Sequence, residues 1–251
     1  MDMGKLELLL KNLQDKEIGV EEVMAHLRDL PFQDLDFAKV DHHRALRKGF
    51  SEVIFCQNKT PGQVVEIVKA QIAHDETVFG TRASAETVDA VRSAFPDIVV
   101  DTEARLFYRK SSQWKLKENC RGSVLVCSAG TADSSVATEA LRTLEIFGHP
   151  CRGLHDVGVA GIHRLFAHRE ILLEASVIIV VAGMEGALPS VICGLVSAPV
   201  IGVPTSVGYG SHLNGLVPML SMLNSCASGL TVVNIDNGFG AACAAAAINQ
   251  G

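Results

Sequence analysis

Apolar residues recur along the chain with two alternating periods, which predict strands and helices in regular succession. In the second half, short runs rich in β-branched residues alternate with helical segments, and the runs are SVLVCSAG, ASVIIVVAG, APVIGVPT and LTVVNID. Alternation of this length predicts a parallel sheet covered by helices on both faces. Runs such as VIIVV, which are apolar throughout, are typical of strands buried on both sides. We therefore expect a three-layer, doubly wound α/β domain.

The first half predicts a smaller α/β unit. Leucines at three- and four-residue spacing indicate an opening helix that Gly19 can end. SEVIF is typical of a strand, and Thr60 followed by Pro61 is typical of a helix start, with the helix continuing through Ala73. A strand at TVFGTR, a helix capped by Ser84 and the segment DIVVDTEARLFYR continue the alternation.

A polar stretch, KSSQWKLKENCRG, separates the two halves, and the hydrophobic periodicity lapses there. We predict a small helical and α/β N-terminal domain over 1–118 and a second domain over 119–251. With 48% hydrophobic and 20% charged residues, the composition is that of a globular protein with a filled core and not of a disordered chain.

Charge and hydropathy narrow the possible partners. A net charge of -6 argues against nucleic acid, because affinity for a phosphate backbone comes mainly from clustered Lys and Arg. No apolar stretch reaches the roughly 20 residues of a membrane span. The opening segment mixes charges through a helical pattern, unlike a signal peptide. We expect no membrane partner and a cytoplasmic location.

The cysteine pattern sets one residue apart. There are seven cysteines, with no C-x-x-C pair and no His/Cys cluster at zinc-ligand spacing, which argues against a disulfide framework and a structural zinc site. Six are expected to be small buried apolar side chains. The seventh, Cys226 in LNSCASG, is either a buried thiol at a helix end or, with a base nearby, a nucleophile.

Three predicted strands are followed by loops rich in small residues, namely SAGTADSS, VAGMEG and VPTSVGYGSH. In an open parallel sheet, ligands bind where the carboxyl ends of strands lead into helix N-termini. Small residues let backbone N–H groups approach an anion, so a phosphate-bearing ligand is favoured. None of the loops has the P-loop or G-x-G-x-x-G pattern, which argues against an NTPase and a nicotinamide dehydrogenase.

Glu185 lies between Gly183 and Gly186 at the end of an apolar strand. A carboxylate there is costly to bury unless it has a partner or a function, and a helix N-terminal cap is the alternative interpretation.

Two further polar groups are candidates. HDVGVAGIHR offers Asp156, His163 and Arg164 near another strand end. Arg164 could hold a phosphate in a bidentate manner, whereas His163 could equally be a core histidine. The charged run at 41–44 with Arg47 is interpreted as a solvated face or an interdomain contact.

Several motifs closely resemble the LarB family of nickel-pincer cofactor biosynthesis proteins, which are pyridinium-3,5-biscarboxylic acid mononucleotide synthases. The motifs are SAGTADSSVATEAL, DVGVAGIHR, VAGMEGALPSV, APVIGVPTSVGYG and MLNSCASGLTVVNIDNGFGA. The likeness covers essentially the whole chain, and VDHHRALRKGF, Lys59-Thr60 and GTRAS carry it less specifically in the first domain. The second domain also resembles PurE-type aminoimidazole ribonucleotide carboxylases, which lack the first domain and have a SAHRTP-like loop where this chain has GIHR.

The resemblance implies an enzyme that carboxylates C5 of the pyridinium ring of nicotinic acid adenine dinucleotide, or of an NAD-like dinucleotide. It also implies hydrolysis of the phosphoanhydride with release of AMP. Cys226 would be the covalent nucleophile and Glu185 its proton acceptor. Carbon dioxide would be a co-substrate with no tightly bound cofactor, although Asp133 or Asp156 could bind Mg²⁺. The PurE relation implies a homo-oligomer, an octamer.

The resemblance places the substrate-binding residues on the same loops. The set is Ser128, Gly130, Thr131, Ala132, Asp133, Ser134, Asp156, Gly158, His163, Arg164, Gly183, Met184, Gly186, Pro189 and Thr205. Ser134 is polar where the family has an apolar residue, a departure that leaves the thiol and carboxylate pair untouched. Two alternatives stay open: a PurE-type carboxylase or mutase, whose substrate needs no thiol, and a non-catalytic nucleotide sensor.

Overall fold

The computed structural model describes residues 3–28 and 32–251. The chain divides into two compact units, Met1–Trp114 and Lys115–Gly251, whereas the sequence places the boundary after residue 118. Both positions fall in or beside the polar stretch between the two halves. Within the described ranges, no helix is long and apolar enough to cross a membrane.

The first unit combines helices with short strands. Its helices are α1 (Met3–Gln14), α2 (Val20–Arg28), α3 (Arg44–Lys48), α4 (Pro61–Ala73) and α5 (Ala85–Ala94). Its strands are β1 (Gln33–Asp34), β2 (Lys39–Val40), β3 (Ile54–Phe55), β4 (Val78–Thr81), β5 (Val99–Asp101) and β6 (Leu106–Arg109). β1 and β2 form an antiparallel pair, and the others form a mixed sheet of order β3-β4-β6-β5.

The two helix starts predicted in this unit are confirmed. Gln63 donates its backbone N–H to the Thr60 hydroxyl at 3.3 Å, and the Gln63 side chain accepts from the Thr60 N–H at 3.0 Å. Ser84 caps α5 by accepting from the Thr87 N–H at 3.2 Å. Local sequence therefore fixes where these helices begin.

Two other expectations for this unit are wrong. The first helix ends at Gln14 and not at Gly19, and Lys16 then adopts a φ of 62° that turns the chain. The charged run at 41–47 is not simply a solvated face, because His42 is 2% exposed. Its Nδ1 atom lies 3.0 Å from a carboxylate oxygen of Glu76, so a polar partner inside the unit makes the burial tolerable.

The second unit alternates strands and helices as predicted. Its strands are β7 (Val124–Ser128), β8 (Cys151–Leu154), β9 (Val177–Ala182), β10 (Val200–Pro204) and β11 (Leu230–Val232). Its helices are α6 (Ser134–Ile146), α7 (His163–Phe166), α8 (Arg169–Glu174), α9 (Leu188–Cys193), α10 (Leu216–Leu223) and α11 (Gly238–Ile248). All strand pairs are parallel, in the order β11-β10-β9-β7-β8.

Helices cover both faces of this sheet. On one face, α6 and α11 pack together. On the other, α7 to α10 contribute to a core that includes Leu125, Ile178 and Val200 from three neighbouring strands. Every residue of the central strand β9 is buried, which accounts for its uninterrupted apolar sequence. The three-layer, doubly wound α/β architecture is therefore confirmed.

One helix start in this unit differs from the prediction. The sequence pattern predicts a helix from Leu213, but α10 begins at Leu216. Leu213 and Asn214 have φ values of 53° and 51°, in the left-handed region, and a tight turn over 210–215 precedes the helix. Apolar spacing alone does not reveal this turn, because it reports which side chains are apolar and not the backbone conformation.

Candidate functional site

The strand order places a ligand crevice between β7 and β9. The chain crosses from β7 to β8 on one side and then returns to β9 on the other, so the loops after β7 and β9 diverge at their carboxyl ends. We call this side of the sheet, where β7 to β10 end, the carboxyl edge. Its loops comprise residues 129–133, 155–162, 183–187 and 205–215.

Asp133 forms hydrogen bonds with the loops that follow β7, β9 and β10. It is 4% exposed, its Oδ2 accepts from the Gly130 N–H at 2.9 Å, and its Oδ1 accepts from the Thr205 hydroxyl at 2.7 Å. Burial raises the pKa of Asp133 above its ordinary value, while hydrogen bonds from Thr205, Gly130 and the Gly183 backbone act in the opposite direction. Both oxygens are engaged within the protein, so this carboxylate braces the carboxyl edge.

Two glycines let the loops approach closely. A Cβ atom on Gly183 would lie 2.2 Å from the carbonyl oxygen of Val207 and 2.7 Å from the Thr205 hydroxyl. A Cβ atom on Gly158 would lie 2.7 Å from the carbonyl oxygen of Ala129. These two glycines are therefore required by backbone packing, whatever else they do.

The guanidinium of Arg164, in α7, already forms an ion pair. Arg164 Nη1 lies 2.5 Å from Asp156 Oδ2, and Asp156 itself has a φ of 58°. Arg164 Nε also donates to the Gly161 carbonyl at 3.4 Å. A phosphate would therefore compete with Asp156 for this guanidinium. His163, at the first position of α7, is exposed and is not a core histidine.

The other predicted binding residues are spread around the β7 and β9 loops. Thr131, Ala132 and Met184 are exposed, and Ser134 is half-buried at the start of α6. Gly186 is buried with a φ of 68°, and Pro189 is buried in α9. The exposed members can contact a ligand directly.

Sequence reasoning missed His155. Its Nδ1 lies 3.1 Å from the hydroxyl of Ser128, a fully buried residue at the end of β7, while His155 itself is exposed. The available signal was its position: His155 follows β8 directly, where a polar residue reaches the carboxyl edge.

Cys226 is accessible. Of the seven cysteines, all in the described part of the chain, only Cys226 is exposed, whereas Cys56, Cys127 and Cys193 are buried. Glu185 is also exposed. Neither side chain forms a hydrogen bond or an ion pair with any residue that the structure describes, so both are open to a ligand.

The strand ends nearest these two residues pair with opposite ends of β10. Glu185 follows β9, whose last residue, Ala182, pairs with Pro204 at the end of β10. Cys226 precedes β11, whose first residue, Leu230, pairs with Val200 at the start of β10. These two ends of β10 are four residues apart, or roughly 13 Å in a parallel strand.

A hydrogen bond links the cysteine segment to the helix that follows Glu185. The Ser190 hydroxyl in α9 donates to the Ser225 hydroxyl at 2.8 Å, and Ser225 in turn accepts from the Ala227 N–H at 3.2 Å. Further along α9, Cys193 lies 3.3 Å from the Ser228 carbonyl. These contacts fix the backbone on both sides of Cys226 against α9.

Both units match known families. Residues 32–111 match the family model described as LarB/PurE-like N-terminal domain, and residues 123–250 match that described as AIR carboxylase. An uncharacterized protein of Methanocaldococcus jannaschii is 38% identical over 248 residues, covering 95% of each chain. A crystal structure of a PurE2 variant from Treponema denticola is 21% identical and covers 51% of this chain and 79% of its own, with a TM-score of 0.41. Because the N-terminal and carboxylase domains occur together and in this order, the chain belongs to the LarB family.

Proposed function

We propose that the protein carboxylates C5 of the pyridinium ring of nicotinic acid adenine dinucleotide and hydrolyses the phosphoanhydride, releasing AMP and a pyridinium-3,5-biscarboxylic acid mononucleotide. The LarB and AIR carboxylase domains support a carboxylase-type enzyme. The observation that carries the finer proposal is that Cys226, in a motif typical of the family, is the one exposed thiol of seven. A covalent nucleophile has to be accessible, and this thiol is.

The chemistry requires a temporary supply of electrons to the ring. A pyridinium ring is electron-poor, so C5 does not attack carbon dioxide directly. The Cys226 thiolate adds to a ring carbon next to C5, forming a C–S bond and a dihydropyridine in which C5 is nucleophilic. C5 then forms a C–C bond to carbon dioxide, which becomes a carboxylate.

The ring then returns to the aromatic state. C5 loses its proton to a base, the C–S bond breaks, and its electron pair leaves with the thiolate. We assign Glu185 as the base that deprotonates the thiol, the C5 position or both. A water molecule separately cleaves the phosphoanhydride, giving the mononucleotide and AMP. The thiol is regenerated, so no resident redox cofactor is consumed.

Because the strand ends nearest Glu185 and Cys226 are separated by the length of β10, we place the complete site between copies of the chain. A base accepts a proton at about 3 Å, or through one water, which is far shorter than the length of β10. In our proposal, Cys226 of one copy meets the carboxyl edge of another, which carries Glu185. Three leucines on α10, just before Cys226, support such an association: Leu216, Leu220 and Leu223 are 37%, 47% and 59% exposed along one helix face.

The direct test is a labelled-product assay. The purified protein, nicotinic acid adenine dinucleotide and ¹³C-bicarbonate should yield AMP and a mononucleotide that retains the label, detected by mass spectrometry. The Cys226→Ala variant should form no labelled product while still folding. A fully active Cys226→Ala variant would exclude covalent catalysis at this residue.

The AIR carboxylase match favours one second candidate, the carboxylation of an aminoimidazole ribonucleotide. That substrate is already an enamine-like nucleophile and needs no thiol. If it is the true substrate, the labelled-product assay will give product with the imidazole compound and Cys226→Ala will retain activity.

A further inference from the structure

A second histidine at the carboxyl edge is buried with an unused hydrogen-bonding atom. His212 lies in the 205–215 loop after β10 and is 6% exposed. Among the described residues, its Nε2 atom is buried and has no hydrogen-bond partner. Buried polar atoms of side chains are nearly always paired, because an unpaired one loses its hydrogen bond to water and gains none in the protein.

The partner of the other ring nitrogen fixes the position of the proton. Gly215 donates its backbone N–H to His212 Nδ1 at 3.2 Å, so Nδ1 has to be an acceptor. A neutral imidazole with an acceptor at Nδ1 carries its proton on Nε2. His212 Nε2 is therefore an N–H donor without an acceptor among the described residues, and an oxygen atom of a ligand could accept its hydrogen bond.

The loop holds this ring beside the segment that carries Glu185. The Met184 N–H donates to the Val207 carbonyl at 2.9 Å, and the next residue, Gly208, lies against the His212 ring. A Cβ atom on Gly208 would overlap the ring at 2.4 Å. The His212 ring thus packs against the backbone of Gly208. The residue before it, Val207, contacts the loop that follows β9.

The loop is open to solvent at Gly210. A Cβ atom on Gly210 would meet no heavy atom within 4 Å, and the neighbouring Tyr209 is 80% exposed. Leu213 directly follows the histidine with a φ of 53°, although a left-handed conformation is unfavourable for a branched side chain. This short loop therefore combines a strained backbone at Leu213, the buried donor of His212 and the exposed side chain of Leu213.

We infer that His212 is a ligand-binding residue, whose Nε2–H donates a hydrogen bond to an anionic oxygen of a bound nucleotide that enters beside Gly210. This inference rests on the proposed function for the ligand class, a pyridine nucleotide. Two groups of such a ligand carry anionic oxygens, the ring carboxylate and the phosphate. A ligand oxygen at Nε2 would supply the acceptor that the protein lacks.

Calorimetric titration of the full chain with two mononucleotides separates these sources. Nicotinic acid mononucleotide has a ring carboxylate and a phosphate, whereas nicotinamide mononucleotide has only the phosphate. We expect His212→Phe to weaken binding about tenfold to a hundredfold. If the oxygen belongs to the carboxylate, the loss should be much larger for the nicotinic acid compound, because a neutral amide oxygen accepts a weaker hydrogen bond. If it belongs to the phosphate, the loss should be the same for both.

Two further variants separate binding from folding. His212→Gln keeps an N–H donor near the position of Nε2 and should bind within about threefold of the wild type, which a role in packing alone would not produce. His168→Phe, at an exposed histidine between α7 and α8, is the matched control and should bind like the wild type. Unchanged binding by a folded His212→Phe variant overturns this inference and leaves the proposed function standing. If the wild type binds neither mononucleotide nor the dinucleotide, both fail.

A measurement on the unmutated protein covers the case in which His212→Phe does not fold. In protein labelled with ¹⁵N-histidine, the His212 spectrum should show the proton on Nε2, and that N–H signal should shift when the nucleotide is added. A proton on Nδ1, or no shift at saturation, contradicts the assignment.

Discussion

Thr205 donates its hydroxyl proton to Asp133 across 2.7 Å, joining the end of β10 to the loop after β7. Thr205 is fully buried and Asp133 nearly so. Strand β9 lies between β10 and β7 in the sheet. Gly183, the residue that follows β9, also forms a hydrogen bond to Asp133 through its backbone. A single carboxylate thus aligns the loops that follow three neighbouring strands, and the crevice between β7 and β9 keeps its shape through this contact.

The first prediction concerns this hydroxyl. Thr205→Val keeps the shape of the side chain but leaves Asp133 Oδ1 buried without its donor, so the free energy of unfolding should fall by about 1–3 kcal/mol. Urea unfolding followed by circular dichroism measures the change. Thr131→Val, at an exposed threonine of the neighbouring loop, is the control and should change stability by less than about 0.5 kcal/mol.

The second prediction is a pH dependence. The pKa of Asp133 is raised, mainly by burial, so the folded state holds its proton more tightly than the unfolded state does. The resulting stabilisation is fully present below the ordinary value of 3.8 and is lost as the pH rises through the raised value. Relative to Asp133→Asn, the wild type should therefore gain stability as the pH falls from about 7 towards 4. Unfolding curves at several pH values test this, and parallel pH profiles for the two proteins would contradict it.

The fold was accessible from sequence because its signals are local. The uninterrupted apolar run of β9 reports burial on both faces, and Thr60 and Ser84 show their helix starts through side chains that can accept backbone hydrogen bonds. The carboxyl-edge loops were located correctly because strand direction alone decides which loops share an edge. The start of α10 was missed, since nothing in the apolar spacing shows that Leu213 adopts a positive φ.

The candidate site was less accessible because it depends on pairing between distant segments. Sequence distinguishes Glu185 and Cys226, but only strand register shows that the strands beside them pair with opposite ends of β10. The sequence predicts Asp133 as a ligand-binding residue, but only the folded chain shows its contacts with Gly130 and Thr205. His212 was missed, since its unused donor exists only in the folded loop.

The third prediction tests the close approach of the loops. Gly183→Ala puts a Cβ atom 2.2 Å from the Val207 carbonyl, a backbone atom that cannot rotate away. We expect a loss of about 1–3 kcal/mol in unfolding free energy, with reduced carboxylation because the β9 loop is displaced. Gly130→Ala is the matched control, since its Cβ would meet only the Asp133 carboxylate at an ordinary 3.7 Å. Equal stabilities of the two variants would refute the packing argument.

The fourth prediction concerns thiol reactivity. Cys226 is exposed, whereas burial raises the pKa of Cys56, Cys127 and Cys151 to about 12, which leaves almost no thiolate at neutral pH. A limiting amount of iodoacetamide should therefore modify Cys226 first, as identified by peptide mass spectrometry. In Cys226→Ser the fast modification should disappear. Preferential labelling of any other cysteine would show that Cys226 is shielded in the assembled protein.

The fifth prediction separates a site within one chain from a site shared between copies. Cys226→Ala and Glu185→Gln should each be inactive alone, because each lacks one of the two proposed catalytic groups. After subunit exchange in an equal mixture, a shared site can combine Cys226 from one variant with Glu185 from the other. Random pairing makes about one site in four intact, so carboxylation should recover to about a quarter of the wild-type rate.

A site within one chain predicts a different result, because every subunit of the mixture then lacks one group. No exchange time or mixing ratio would restore activity. Native mass spectrometry with one variant ¹⁵N-labelled shows that exchange has occurred. The double variant Cys226→Ala/Glu185→Gln, mixed with wild type, shows how the rate depends on the fraction of intact subunits. Since the strand ends nearest the two residues pair with opposite ends of β10, recovery in the mixture of single variants is the expected outcome. Its absence, with exchange demonstrated, would place Cys226 and Glu185 of the same subunit in one site.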